Sequence, residues 1–283
     1  MTVNRYRKVL ENDKIELPGL EYFGHSISSK AGLPLDTHIH ENCLEIVAVI
    51  KGNECYFVEE RRFELSGGDV FISYVNQPHR SGNAAQGVCE IIWFQINPSV
   101  SENFLGLSGL FEDLIKYRLL NIDTHILKTD KEGISYLKKS FENFLKPKTE
   151  NNIYAQSLFI AFLTKLLFME NKSESNNILI EKILRHINEN ICENIKIEEV
   201  CSLFNISLSG FKHKFREYTG MTPRDYINSR KIHKATEMLI SGINVTETAM
   251  ALSFNTSDYF SVVFKKYMAC SPSQFKNKLG MIK

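Results

Sequence analysis

An excess of charge of one sign is missing from this chain. Over 283 residues, 34 Lys and Arg meet 33 Asp and Glu, for a net charge of +1. Taken as a whole, that balance argues against a protein that holds nucleic acid through its phosphates. Paired cysteine motifs are missing too. The six Cys (43, 55, 89, 192, 201 and 270) are scattered, with no C-x-x-C among them, and most lie in apolar runs as small core residues. A reducing compartment fits this better than a disulfide framework. The first residues, MTVNRYRKVLENDK, lack the apolar core of a signal peptide. The most apolar stretch, Leu158 to Phe168, is short and interrupted by Lys165. The expectation is no membrane span and a cytoplasmic protein.

What the chain does have is a split. Residues 1–177 hold 19 basic and 23 acidic side chains, and residues 178–283 hold 15 and 10. The length suits two domains, and a hydrophobic content of 43% supports buried cores. The C-terminal part is therefore the basic one, as phosphate binding requires.

The same part repeats itself. Phe211, Phe215, Tyr218, Gly220, Thr222, Pro223 and Tyr226 recur 49 residues later as Phe260, Phe264, Tyr267, Ala269, Ser271, Pro272 and Phe275. Each copy reads as a helix-turn-helix. In the first, Val200, Leu203 and Phe204 form the apolar face of a short helix starting near Ile197, and Cys201 lets the next helix approach. Asn205 takes the left-handed turn, Ile206 plugs the corner and Ser207 caps a helix over Leu208 to Tyr218. In the second, Val245, Ala249 and Leu252 form the first helix, Ser253 takes the turn, and Asn255 or Thr256 caps a helix to Tyr267; this turn is one residue longer. Between them, Pro223 to Ser241 reads as one continuous helix ending before Gly242. Such a rod suits two recognition helices in successive major grooves, roughly 34 Å apart.

The outer faces give the candidate DNA-binding residues. These are Ser207, Ser209, Lys212, His213 and Arg216 in the first copy, and Thr256, Ser257, Asp258, Ser261, Val262, Lys265 and Lys266 in the second. Lys212 and His213 can donate to bases or phosphates, Asp258 can accept from cytosine, and Val262 offers only apolar contact. The pieces IEEVCSLFNIS, FKHKFREYTGMTPRDYI and FNTSDYFSVVFKKYMACSPSQFK closely resemble the DNA-binding domain of the AraC/XylS family of bacterial transcription regulators. Ser253 and Ala269 stand where that family usually has Gly, and Val262 where an Arg is common.

The N-terminal part reads differently. CLEIVAVI, ECYFVEE, RFEL, DVFISY and VCEIIWFQI are short, β-branched and aromatic runs separated by KGN, SGGD and NQPHRSGN turns, the pattern of a small β-barrel or sandwich. Residues 1–30 allow a first strand or two plus an arm. His38 and His40 share one face of a strand. The spacing Gly32-x5-His38-x-His40-x4-Glu45-x6-Gly52, and the run Gly68 to His79 with Asn83 beyond it, resemble the two cupin motifs; Tyr74 and Asn76 replace the second motif's usual Pro and Gly. Three imidazoles and a carboxylate suit a divalent metal such as Zn, Ni, Mn or Fe. The same residues also suit a metal-free effector pocket or satisfied buried hydrogen bonds. Tyr56 and Trp93 join His38, His40, Glu45 and His79 as candidate effector-binding residues, and Phe57 is a further aromatic in the same run. As lone strand aromatics, all three also fit a core.

From Asn97 the pattern turns helical: Phe104–Leu120, Asp130–Lys146 ended by Pro147, and Asn152–Glu170. These helices suit packing on the barrel, a dimer seam, or both; core packing is the default, and Tyr154, Leu158, Phe159 and Phe162, exceeding one buried face, suggest a seam within 130–170.

The expected architecture is an α+β, two-domain chain. A cupin-like effector and dimerisation domain spans 1–170 (barrel about 20–97, helices about 101–170). A linker follows over 171–177, then an all-α tandem helix-turn-helix domain over 178–283. The expected function is a ligand-responsive, sequence-specific regulator of transcription, an activator of metabolic genes, carbohydrate genes among the candidates, with no cofactor required beyond a candidate divalent metal in the barrel. Its partners would be double-stranded DNA, a small-molecule effector and a second copy in a homodimer, with RNA polymerase implied by the resemblance. The rival is a cupin-type metalloenzyme fused to a helical domain. It rests on the His38, His40, Glu45 and His79 set alone and leaves the duplicated helix-turn-helix unexplained.

Overall fold

The computed structural model describes residues 5–28, 35–81, 89–146, 149–168, 174–219, 221–268 and 270–280. The expectations at Gly32, Asn83, Pro147, Gly220, Ala269 and linker residues 171–173 lie outside them. The N-terminal strands are β1 (Arg5–Glu11), β2 (Leu20–Ser28), β3 (Leu44–Val58), β4 (Arg61–Ser66), β5 (Asp69–Ser73), β6 (His79–Ser81), β7 (Cys89–Ile96) and β8 (Ile126–Lys128). A one-turn helix, α1 (Asn12–Ile15), joins β1 to β2. All pairings are antiparallel, in the order β1-β2-β7-β3-β5-β8, with β4 and β6 pairing the distal half of β3.

The central strand corrects the sequence reading. KGN, expected as a turn, lies inside β3, which runs unbroken through 15 residues. Gly52 has φ +87°, and the β3–β7 register slips between Val49 and Lys51. One extra residue reverses the alternation of side chains. Before the bulge, Val47 and Val49 face the barrel interior; after it, Tyr56 and Val58 do. Leu44, Ile46 and Ala48 face the other way, into a core built with the helices.

Those helices are α2 (Leu110–Leu120), α3 (Lys131–Phe144) and α4 (Thr149–Phe168). Asp130 caps α3, its carboxylate accepting from Gly133 N at 2.9 Å. Phe141 and Phe159 meet Phe23 edge-on, 5.1 and 5.5 Å between ring centroids. Each such buried ring contributes about 1.5–3 kcal/mol. Phe159 and Phe162, counted toward a dimer seam, are fully buried in their own domain. Tyr154 and Ile153 are exposed, but the larger apolar surface is on α2, where Leu110, Phe111, Leu114, Tyr117 and Leu120 all face outward.

The C-terminal half is all helical: α5 (Glu174–Glu189), α6 (Ile197–Leu203), α7 (Leu208–Thr219), α8 (Pro223–Ile240), α9 (Val245–Ala251), α10 (Ser257–Met268) and α11 (Pro272–Gly280). α5 begins inside the stretch read as linker. Thr222 caps α8 and Gly242, at φ +99°, follows its end. Two separate cores form around it. Ile183, Phe211, Phe215, Tyr226 and Ile227 belong to the first, and Ile232, Leu239, Leu252, Phe260 and Phe264 to the second. Leu203, expected inward, is exposed. Its carrier helix needs only Val200 and Cys201 to seal this small core.

The halves dock through the back of the barrel wall. Asn53 Nδ2 donates to Ser229 Oγ on α8 at 2.8 Å. Arg62 pairs with Glu64 and Glu237, and Glu64 pairs in turn with Arg230. A Cβ at Gly67 would sit 2.3 Å from the Thr219 carbonyl, so glycine is what lets α7's end approach. The Lys128 ammonium lies 4.3 Å from the Tyr218 ring centroid.

Candidate effector pocket and DNA-reading helices

The pocket is built at the mouth of the barrel. The segment before β3 pairs with the start of β6, His38 and His79 exchanging backbone N–H···O bonds at 3.0 Å each. This places both rings beside Glu45, the inward residue near the start of β3. Glu45 Oε2 lies 2.9 Å from His79 Nε2 and Oε1 3.2 Å from His40 Nε2. One ligand atom from each of His38, His40, Glu45 and His79 lies within 4.8 Å of the others.

The second hydrogen bonds fix the rings. His38 Nδ1 donates to Asp36 O at 2.8 Å and His79 Nδ1 to Gln77 O at 3.0 Å. With Nδ1 donating to a backbone carbonyl, Nε2 faces the cluster: on a protonated His79 ring it donates to Glu45, and on a neutral ring it offers the lone pair a metal takes. Burial alone raises the Glu45 carboxyl, but hydrogen bonds and charge from His40 and His79 outweigh it and hold it at about 2. Burial lowers His79, and its bond to Glu45 with that residue's charge reverses the shift and raises it. An anionic carboxylate facing three imidazoles is the donor set of a divalent first-row cation. Donors 2.0–2.2 Å from one ion stand about 4 Å apart at most, so the cluster fits after slight contraction.

Beyond the cluster lies a cavity of about 410 Å³, ordinary for a small-molecule site. Its lining includes groups the sequence did not point to: Arg7, Glu54, Gln95, Ser26 and Ser28. Glu54 is buried and accepts from Cys89 Sγ at 2.7 Å. Its cue was an acid inside an apolar strand run; the bulge turns it inward. Tyr56 stacks on Phe71 with centroids 4.4 Å apart. Burial, then the charges of Glu54 and Glu45, push its hydroxyl well up, so it remains a phenol. Trp93 lies across β2, where a Cβ at Gly24 would meet the indole at 2.3 Å. The Arg7 guanidinium stands 5.7 Å from the Trp93 ring centroid. Phe57 is outside the cavity, stacked under Arg80 at 4.3 Å. At the rim, Asn76 takes φ +58°, the conformation the usual Gly would supply.

In the helical half, Asn205 and Ser253 take the two turns at φ +50° and +53°. Ser207 Oγ accepts from Gly210 N and Thr256 Oγ1 from Tyr259 N, so these two cap α7 and α10. Ser209, Lys212, His213 and Arg216 are exposed along α7. On α10, Asp258, Val262, Lys265 and Lys266 are exposed, and Ser257 and Ser261 half-buried. Lys266 is tied back to Asp225 of α8 at 2.9 Å.

An antiparallel barrel with a polar cavity, joined to paired helix-turn-helix units, defines a DNA-binding regulator with a ligand-binding domain. Residues 34–187 match the family described as AraC-like ligand binding domain, and residues 200–278 match a helix-turn-helix domain. The chain belongs to the AraC/XylS family of transcription regulators and is not an enzyme. It is 23% identical over 252 residues to the HTH-type transcriptional activator RhaR of Enterobacter sp. (strain 638), covering 85% of this chain and 86% of the relative. It is 22% identical to RhaS of Salmonella schwarzengrund, covering 84% and 86%. Among solved structures, ToxT of Vibrio cholerae aligns over 92% of this chain and 98% of its own, at 16% identity and TM-score 0.33. No helix among the described residues is long and apolar enough to cross a membrane.

Proposed function

We propose that this protein activates transcription in response to a small polar effector held between the His38–His40–Glu45–His79 cluster and the Glu54–Tyr56–Trp93 wall. The observation that carries this reading is the double use of β3. Glu45, Glu54 and Tyr56 on one face line the cavity, while Asn53 on the other bonds to the helix between the two DNA-reading units. A ligand that draws on Glu54 acts on the residue next to that dock. The pocket chemistry favours an effector with several hydroxyl or amine donors and a face that stacks on Trp93, a carbohydrate-like molecule among them. Activation, rather than repression, is carried over from relatives named as activators.

The finer partners are part of the same proposal. A Zn, Ni, Mn or Fe ion on the four-residue cluster would polarise an effector hydroxyl or carbonyl. A cytoplasmic protein that contacts RNA polymerase is the reading its DNA-binding half supports. The apolar face of α2, with Ile153 and Tyr154, is the proposed homodimer seam, in place of the 130–170 stretch. A thermal-shift screen with sugars and other small metabolites tests the effector reading. A hit that stabilises wild type and not Glu54→Gln supports it; hits that stabilise both equally count against this cavity.

A further inference from the structure

The two helix-turn-helix units need a fixed separation to read two grooves, yet their hydrophobic cores share no residue. Tyr226 and Ile227 of α8 enter the first core; Ile232, Ala235 and Leu239 enter the second. The cleft between the units, about 300 Å³, is lined by Asn194, Lys196 and Asn228 together with Ile195, Ile227 and Phe254.

At the boundary between the cores stands Lys231. It is buried, 6% exposed. Its ammonium donates to Glu193 O, in the loop entering the first unit, at 2.8 Å, and to Leu252 O, at the turn of the second, at 2.6 Å. The Phe254 ring lies 5.5 Å from the same nitrogen. Burial lowers its pKa from the ordinary lysine value, a cost the two carbonyls offset. One residue along on each side, Ser253 Oγ donates to Cys192 O at 2.7 Å. Ser253 makes this bond from a left-handed backbone, φ +53°, where glycine would be relaxed and could not make it. The second unit's turn is thus tied to the adjacent carbonyls of Cys192 and Glu193 twice, by Ser253 directly and by Leu252 O through the Lys231 ammonium.

We infer that Lys231 and Ser253 form a clasp that sets the spacing and angle of the two recognition helices, and so the spacing between the two DNA boxes this protein accepts. Both are positioning residues; neither is offered as a DNA contact. The inference rests on the reading that both units engage DNA at once. Tethered units gain affinity together only when geometry allows simultaneous engagement, so a looser clasp weakens the spacing rule without touching either unit's own contacts.

The test uses the full chain and a two-box duplex selected by the wild-type protein from random DNA. Two further duplexes carry one box alone, or both boxes with one base pair inserted, a twist of roughly 34°. Wild type should lose about tenfold in affinity on the insertion. Ser253→Gly removes the bond to Cys192 and relieves the backbone, so it should match wild type in melting temperature and in single-box binding. Its insertion penalty should fall below about threefold. Lys231→Met should relax spacing further, and Lys231→Arg should restore most of it. If Ser253→Gly and Lys231→Met keep the wild-type penalty, or lose single-box and two-box binding equally, the clasp is only structural and the inference fails. A selection that returns a single box overturns the two-unit reading itself, a separate result.

Discussion

Asn53 and Ser229 are 176 residues apart in sequence, and the Asn53 amide donates to the Ser229 hydroxyl at 2.8 Å. Asn53 follows the Gly52 bulge of β3 and precedes Glu54 of the cavity wall. Ser229 lies in α8, two residues before Lys231. The barrel's back therefore rests on the rod that spaces the DNA-reading units. Around this bond, Arg62, Glu64, Arg230 and Glu237 form a chain of opposite charges.

Breaking that chain should separate the halves. Arg230 and Glu64 are partly buried, at 14% and 31% side-chain exposure, so the pair is worth about 1 kcal/mol after solvent screening. Arg230→Ala, paired with Asn53→Ala, should split a single calorimetric unfolding transition into two and abolish any effector-dependent change in DNA affinity. A variant that still unfolds in one step and still responds to effector would show that this interface does not couple them.

Docking should weaken in mild acid. His233 is held down to about 4, first by burial and then by the positive charges of Arg62 and Arg230, against the opposing pull of Glu64 and Glu237. Arg62 Nη2 donates to His233 Nδ1 at 2.9 Å, which requires an unprotonated ring nitrogen. The folded pKa lies below the ordinary 6.5, so the contribution is complete above pH 6.5 and is lost as pH falls toward 4. The thermal stability of wild type should fall between pH 7 and 5 more than that of His233→Gln. Parallel pH curves for the two would remove His233 from the account.

Much of this was legible in the sequence, for identifiable reasons. The 49-residue repeat, the left-handed Asn205 and the capped rod from Pro223 follow from local rules, and Asn205, Pro223 and Gly242 took their expected places. His38, His40 and Glu45 lie close in sequence, and the backbone bridge between His38 and His79 brings the third imidazole to Glu45. What was hidden depends on long-range geometry. KGN looks like a turn, and only pairing with β7 makes it a bulge. Glu54 and Arg7 enter the pocket through that bulge and through β1, whose register is set by β2. The surplus of Phe on α4 is absorbed by Phe23 and Phe94, which no helix-face count reveals.

Protein purified without an affinity tag should carry close to one equivalent of a divalent first-row metal. His40→Ala should lose it together with several degrees of melting temperature, as expected for a tightly held ion. Absence of metal by elemental analysis, with His40→Ala unchanged in stability and ligand response, would assign the cluster to neither role.

The exposed face of α2 should hold two copies together. Phe111→Glu with Tyr117→Glu should shift sedimentation at micromolar concentration from dimer to monomer while leaving the buried Ile115 and Leu119 contacts intact. A wild-type protein that sediments as a monomer, with and without DNA, rules this seam out.

The recognition helices should read unequally. Lys212→Ala should cost about 1–3 kcal/mol and relax one position of the box nearer the first unit if the ammonium meets guanine. If it meets phosphate, affinity falls evenly and the salt slope shrinks by about one contact. Val262→Ala, and substitutions at Ser257, should be milder. A selection in which Val262→Ala scrambles specificity more than Lys212→Ala reverses this order.

The most direct measurement is genome-wide occupancy combined with transcript levels, in cells carrying wild type or Glu45→Ala and grown on different carbon sources. The account predicts a small set of occupied promoters. With wild type, their transcripts should rise on a particular source. With Glu45→Ala, the same promoters should stay occupied and lose that response. Occupancy without sequence preference, or a carbon-source response identical in the two strains, would contradict it.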